Sequence, residues 1–148
     1  MKKILIATDG SATAHAAIDA GLELAAEGDS EVVFVHVTSV LDFQSAATGS
    51  EAPERVPQMD TDAVLVDALE QARKCGIPAK AELLIGHAPK QIIRLAREIE
   101  ADLIVIGSRG LGRVQSAILG STSRGVLTKA DRPVMIVRTT GVRELVGI

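Results

Sequence analysis

Apolar residues along the chain fall into two alternating patterns. Lys3–Ala7, Glu31–Val37, Ala79–Ile85, Asp102–Ile106 and Val134–Val137 are short, nearly continuous apolar runs, rich in β-branched residues, as buried parallel strands are. Between them the apolar positions recur at helical spacing. Ala12–Glu27 carries Ala16, Ala17, Ala20, Leu22, Leu24 and Ala25, with Gly28 as a C′ stop. Asp60-Thr61-Asp62 opens a second helix with Ala63, Val66, Leu69 and Ala72 on one face, ended by Gly76 and Pro78. Pro89 suits the first turn of a third, lined by Ile92, Ile93, Leu95, Ala96 and Ile99. A fourth runs through Val126 and Leu127 to Ala130. Five strands alternating with four helices predict an α/β layered fold around a parallel sheet.

The 148 residues suit one domain, 1–148, with a variable loop at 39–57 and a C-terminal tail at 139–148. The loop is a mixture of Ser, Ala, Thr, Gly, Glu and Pro; a connection of that length is either a functional lid or a surface excursion. A net charge of −3 lacks the basic footprint of nucleic-acid binding. No apolar run approaches the roughly 20 residues that cross a bilayer, and Asp9 interrupts the amino terminus too early for a signal peptide. A cytoplasmic protein without membrane contact is expected. The chain has two Phe and neither Trp nor Tyr, so unless Phe34 or Phe43 serves, a bound base would lie against aliphatic side chains.

The chemistry concentrates in residues 107–123. Gly107, Gly110 and Gly112 follow the fourth strand, and Gly120 precedes Ser121-Thr122-Ser123 at a predicted helix start. Glycines let main-chain amides approach a ligand closely. A helix start adds free amides and a favourable dipole, which together make a phosphate cradle. Arg109, Arg113 and Arg124 are near, and no carboxylate occurs between Gly107 and Lys129. Three other phosphate or nucleophile motifs are absent. The first βα turn lacks G-x-G-x-x-G, Val126-Leu127 replace the Lys-Ser/Thr of a P-loop, and there is no G-x-S-x-G elbow. His36 reads as a packed core histidine, His15 has no nucleophile partner, and His87 is a capping or rim residue. Cys75 reads as a small buried hydrophobe. No metal-ligand trio is visible.

The spacing of Gly107, two residues, Gly110, nine residues, Gly120-Ser121 resembles the nucleotide-binding signature of the universal stress protein family. Ile4–Ser11, Val35-His36-Val37 and Arg132–Val137 extend the resemblance over most of the chain. It implies an adenine-nucleotide α-hydrolase-like sheet of order 3-2-1-4-5 with helices on both faces, binding ATP with or without Mg²⁺. In that order the ends of strands one and four meet at a switch point, where open α/β sheets bind ligands. The implied nucleotide-binding residues are Ala7, Thr8, Asp9, Val37, Gly107, Arg109, Gly110, Gly120, Ser121, Thr122 and Ser123. Asp9 either contacts the nucleoside or only caps the first helix, and Arg109 either meets phosphates or is solvated. The resemblance points to a stress-response regulatory or sensing module. The alternatives are a slow ATPase or autophosphorylating protein using Ser121 or Ser123, and a nucleotide-free structural dimer. A homodimer through strand 134–137 is expected, because that edge carries no internal Lys, Asp or Glu.

Overall fold

A computed structural model describes residues 1–39, 62–108 and 119–138. The strands are β1 (Lys3–Ala7), β2 (Glu31–Thr38), β3 (Ala79–Ile85), β4 (Leu103–Gly107) and β5 (Val134–Val137). The helices among the described residues are α1 (Ala12–Gly28), α2 (Ala63–Lys74), α3 (Ala88–Glu98) and α4 (Ser121–Lys129). All strand pairs are parallel and the order is β3-β2-β1-β4-β5. The chain builds outward from β1 to β3, then returns to place β4 against β1's other edge, with Leu5 opposite Ile104.

Alternation along the strands sends side chains to two cores. Ile4, Ile6, Phe34 and Val105 pack under α1 and α2 with Ile18, Leu22, Leu65 and Ala68. Leu5, Val33, Val35 and Ile104 pack under α3 and α4 with Ile92, Leu95 and Val126. Each helix therefore has one strip to bury. Gly21 lets α1 settle onto Ile6, and Gly125 lets α4 meet Pro89 of α3, where a β-carbon would lie 2.8 Å from the proline ring. At the amino ends of β1 and β4, the amides of Lys2 and Lys3 donate to Asp102 and hold its carboxyl below the ordinary carboxylate range.

Four sequence expectations are corrected. Gly28 is still helical, and Asp29 takes the left-handed C-cap at φ 53°. In α2 the inward strip is Leu65, Ala68 and Ala72, leaving Ala63 and Val66 exposed and Leu69 half-buried. Both strips have helical spacing, so the sequence allows either phase and the sheet selects one. Cys75 is exposed. It is the C-cap of α2, Gly76 turns the chain at φ +71°, and Ile77 takes the buried place instead. His36 is not sealed in a core; its ring meets a carboxylate, as described below. Residues 40–57 of the expected loop and the tail at 139–148 lie outside the described residues.

Candidate nucleotide site at the sheet switch point

β1 and β4 end side by side, and from there their connections leave on opposite faces of the sheet. β1 passes to α1 through Thr8–Ser11. The Thr8 amide donates to the Val35 carbonyl at 2.9 Å, which keeps the end of β1 tied to β2. Asp9 Oδ1 then accepts the Ser11 amide at 2.9 Å, a turn in which aspartate substitutes for backbone. Ser11, in extended conformation, accepts the Ala14 amide at 3.2 Å and is the N-cap of α1. The alternative that Asp9 caps this helix is thus resolved in favour of Ser11. Asp9 shapes the approach, and one of its two oxygens is committed to the turn.

On the β4 side, Ser108 is the anchor. Its amide donates to Val137 at 2.7 Å, and its carbonyl accepts the Gly120 amide at 2.7 Å and the Ser123 hydroxyl at 2.8 Å. The Ser123 hydroxyl also lies 3.1 Å from the Gly120 carbonyl. Residues 108 and 120 are stitched together in this way, and Ser123 is 2% exposed. Gly120 begins α4 with no side-chain cap. The first helical bond runs from the Arg124 amide to the Gly120 carbonyl at 3.0 Å, so the amides of Ser121, Thr122 and Ser123 have no partner within the helix. The exposed Arg124 guanidinium turns to the Leu119 carbonyl at 3.3 Å.

Between these two ends lies a cavity of about 180 Å³. Ala7, Thr8, Asp9, Val37, Gly107, Gly120, Ser121, Thr122 and Ser123 line it, nine of the expected site residues. Arg109 and Gly110 lie outside the described residues. Ala14, Val35, Ala88, Ile92 and Ile106 complete the wall and were not foreseen. Their signal was present, since each stands at the carboxyl end of a strand or the first turns of the next helix. The wall combines aliphatic side chains with hydroxyls and the helix-start amides of α4. A flat apolar group and an anion would each find a matching surface.

The sequence matches the universal stress protein family over residues 1–138. The chain belongs to that family. A universal stress protein of Methanocaldococcus jannaschii is 32% identical over 139 residues, covering 93% of this chain and 82% of the relative. YxiE of Bacillus subtilis, also a universal stress protein, is 32% identical over 92% of this chain and 98% of its own. Among solved structures, the universal stress protein of Archaeoglobus fulgidus in complex with dAMP has a TM-score of 0.67 at 26% identity, covering 93% of this chain and 98% of that one. A Burkholderia pseudomallei member of the family has a TM-score of 0.64 at 30% identity, covering 92% and 95%. The universal stress protein fold therefore accounts for the whole described sheet.

Among the described residues no group of histidine, cysteine or carboxylate side chains is placed to hold a metal ion. No helix there is long and apolar enough to cross a membrane.

Proposed function

We propose that this universal stress protein binds ATP in the switch-point cleft and acts as a single-domain, cytoplasmic regulatory or sensing module. The observation that carries the reading is the pairing of Asp9 with the uncapped start of α4 across one cavity. Phosphate oxygens take the amides and hydroxyls of Ser121 and Thr122, where the helix dipole favours negative charge. The base lies against Val35, Val37 and Ile92, and Asp9 accepts hydrogen bonds from the nucleoside. Ala7, Thr8, Gly107 and Gly120 bring backbone close to the ligand, and Arg109 and Gly110 extend the phosphate contacts. The dAMP complex of the Archaeoglobus fulgidus relative supports an adenine nucleotide in this fold. Asp9 is the one carboxylate among the described lining residues, so a Mg²⁺ ion would be held chiefly through the phosphates.

Ligand occupancy sets the state that a partner reads. A homodimer through β5 is part of this proposal. A slow ATPase or autophosphorylating activity is the second reading, and one observation narrows it. Ser123 is buried with its hydroxyl committed, whereas Ser121 is exposed at the first turn of α4. Ser121 is therefore the acceptor of choice.

The test is to denature the purified protein and analyse released nucleotide, alongside thermal shift with Mg-ATP and intact mass. ATP released, or a thermal shift, supports the binding module. ADP with a covalent phosphate supports the second reading. Neither nucleotide nor shift leaves a nucleotide-free dimer and overturns both.

A further inference from the structure

From the contacts at the start of α2, we infer that His36 and Asp62 form a positioning pair for the cleft, making the N-terminus of α2 part of the binding apparatus. The inference rests on the nucleotide reading above for its ligand. It stands on geometry of its own for the coupling.

His36 sits between Val35 and Val37, both of which line the cavity. Strand alternation turns its ring the other way, to the face carrying α1 and α2. There Nδ1 lies 3.2 Å from each Asp62 oxygen, with the two side chains only 17% and 18% exposed. Asp62 is also the N-cap of α2, its Oδ1 accepting the Leu65 amide at 3.0 Å. One carboxylate thus fixes both the first turn of α2 and the ring on β2. A half-buried, charge-assisted contact of this kind is stronger than an exposed one.

The same helix start touches the other wall. Gly10, at φ +83°, lies against Val64; a β-carbon there would stand 3.2 Å from Val64 Cγ2. Gly10 follows Asp9 and precedes the amide that Asp9 holds. The first turn of α2 therefore bears on β2 through His36 and on the Asp9 turn through Val64. Release of the pair frees α2 to shift, and both walls then lose a common support. His36 and Asp62 touch no ligand in this scheme; they act through Val37 and Asp9.

The full-length protein tests this with variants that separate the pair from the cap. Asp62→Ser keeps a capping hydroxyl but is too short to meet the imidazole, His36→Ala removes the ring, and His36→Asn keeps a donor near the Nδ1 position. Each is measured for Mg-ATP affinity, for melting temperature, and for amide hydrogen exchange at Ser11 and Val37 without nucleotide. Asp62→Ser and His36→Ala should each weaken binding by roughly three- to tenfold. The double variant should lose little more than either single one, because coupled partners are not additive. Exchange at Ser11 and Val37 should quicken in both, and His36→Asn should restore both readouts. A lower melting temperature with affinity and exchange unchanged would make the pair purely structural and overturn the inference. A wild type that binds no Mg-ATP would instead remove the ligand reading. The exchange rates at Ser11 and Val37 would then decide the coupling on their own: faster exchange upholds it and unchanged exchange overturns it.

Discussion

A β-carbon on Gly107 would stand 2.7 Å from both the carbonyl carbon and the carbonyl oxygen of Thr13. Backbone cannot give way there as a flexible side-chain tip could, so glycine at the end of β4 is what lets α1 descend over the switch point. Gly107→Ala should cost about 1–3 kcal/mol of stability, the usual range for overpacking a well-filled interior. It should also weaken nucleotide binding, because the displaced helix start carries the Ser11 cap beside Asp9. Chemical denaturation and a binding titration on the same variant check this. An unchanged denaturation midpoint would mean that α1 can retreat freely.

Asp9 and Ser11 divide two duties that are easily confused in a sequence. Asp9→Ala should lower ATP affinity about ten- to a hundredfold, the equivalent of losing one charged hydrogen bond of about 1.5–3 kcal/mol. Ser11→Ala should cost about 1 kcal/mol of stability, as loss of an N-cap does, with the smaller effect on affinity. Melting temperatures and titrations of both variants distinguish the duties. The reverse ranking would return Asp9 to a purely structural role.

Ser123 and Ser121 should likewise separate. Ser123→Ala removes one of the two donors to the Ser108 carbonyl, which keeps the Gly120 amide, and should destabilise by about 0.5–1.5 kcal/mol. Ser121→Ala, at an exposed position, should stay within about 0.5 kcal/mol in stability while losing affinity for ATP. If Ser121→Ala binds ATP as the wild type does, the phosphates do not rest on the first turn of α4.

β5 is one of the two edge strands, and all four of its residues are partly buried rather than sealed. Its Val134, Met135, Ile136 and Val137 offer apolar surface, and among the described residues no strand pairs its outer side. Light scattering should find a dimer in the wild type at micromolar concentration and a monomer for Val134→Lys/Ile136→Lys. A double-lysine variant that remains dimeric would place the interface elsewhere.

The sheet was legible because each strand is an apolar run with turn residues at its ends, a signal that tertiary packing reinforces. The site was legible to the extent that glycines and hydroxyls mark the two strand ends. What the sequence hides is which of several local partners wins. Asp9 and Ser11 are both capping residues, and only the backbone path places Ser11 at the cap. Gly107 needs its missing side chain to pack against Thr13, not at a left-handed dihedral. His36 stands in an apolar run and reads as core, yet its partner Asp62 is 26 residues away, where no local pattern links them. Cys75 continues the spacing of Ala68 and Ala72 but falls where the helix has ended.

β1, the central strand, has the partner of one of its edges about two-thirds of the chain away: Ile4 faces Leu103 in the register of β4. On a ribosome adding about 5–20 residues per second, β1 waits several seconds with one edge bare, even after β2 and β3 have formed. Such late, non-local closure is slow and leaves an open template for neighbouring chains. Arrested nascent chains should show it: those ending before residue 103 should be cut readily by protease within β1, and those extended well past 138 should resist. The feature that creates the switch-point cleft, a strand order reversing at β1, also leaves the middle of this protein unsheltered until late in synthesis.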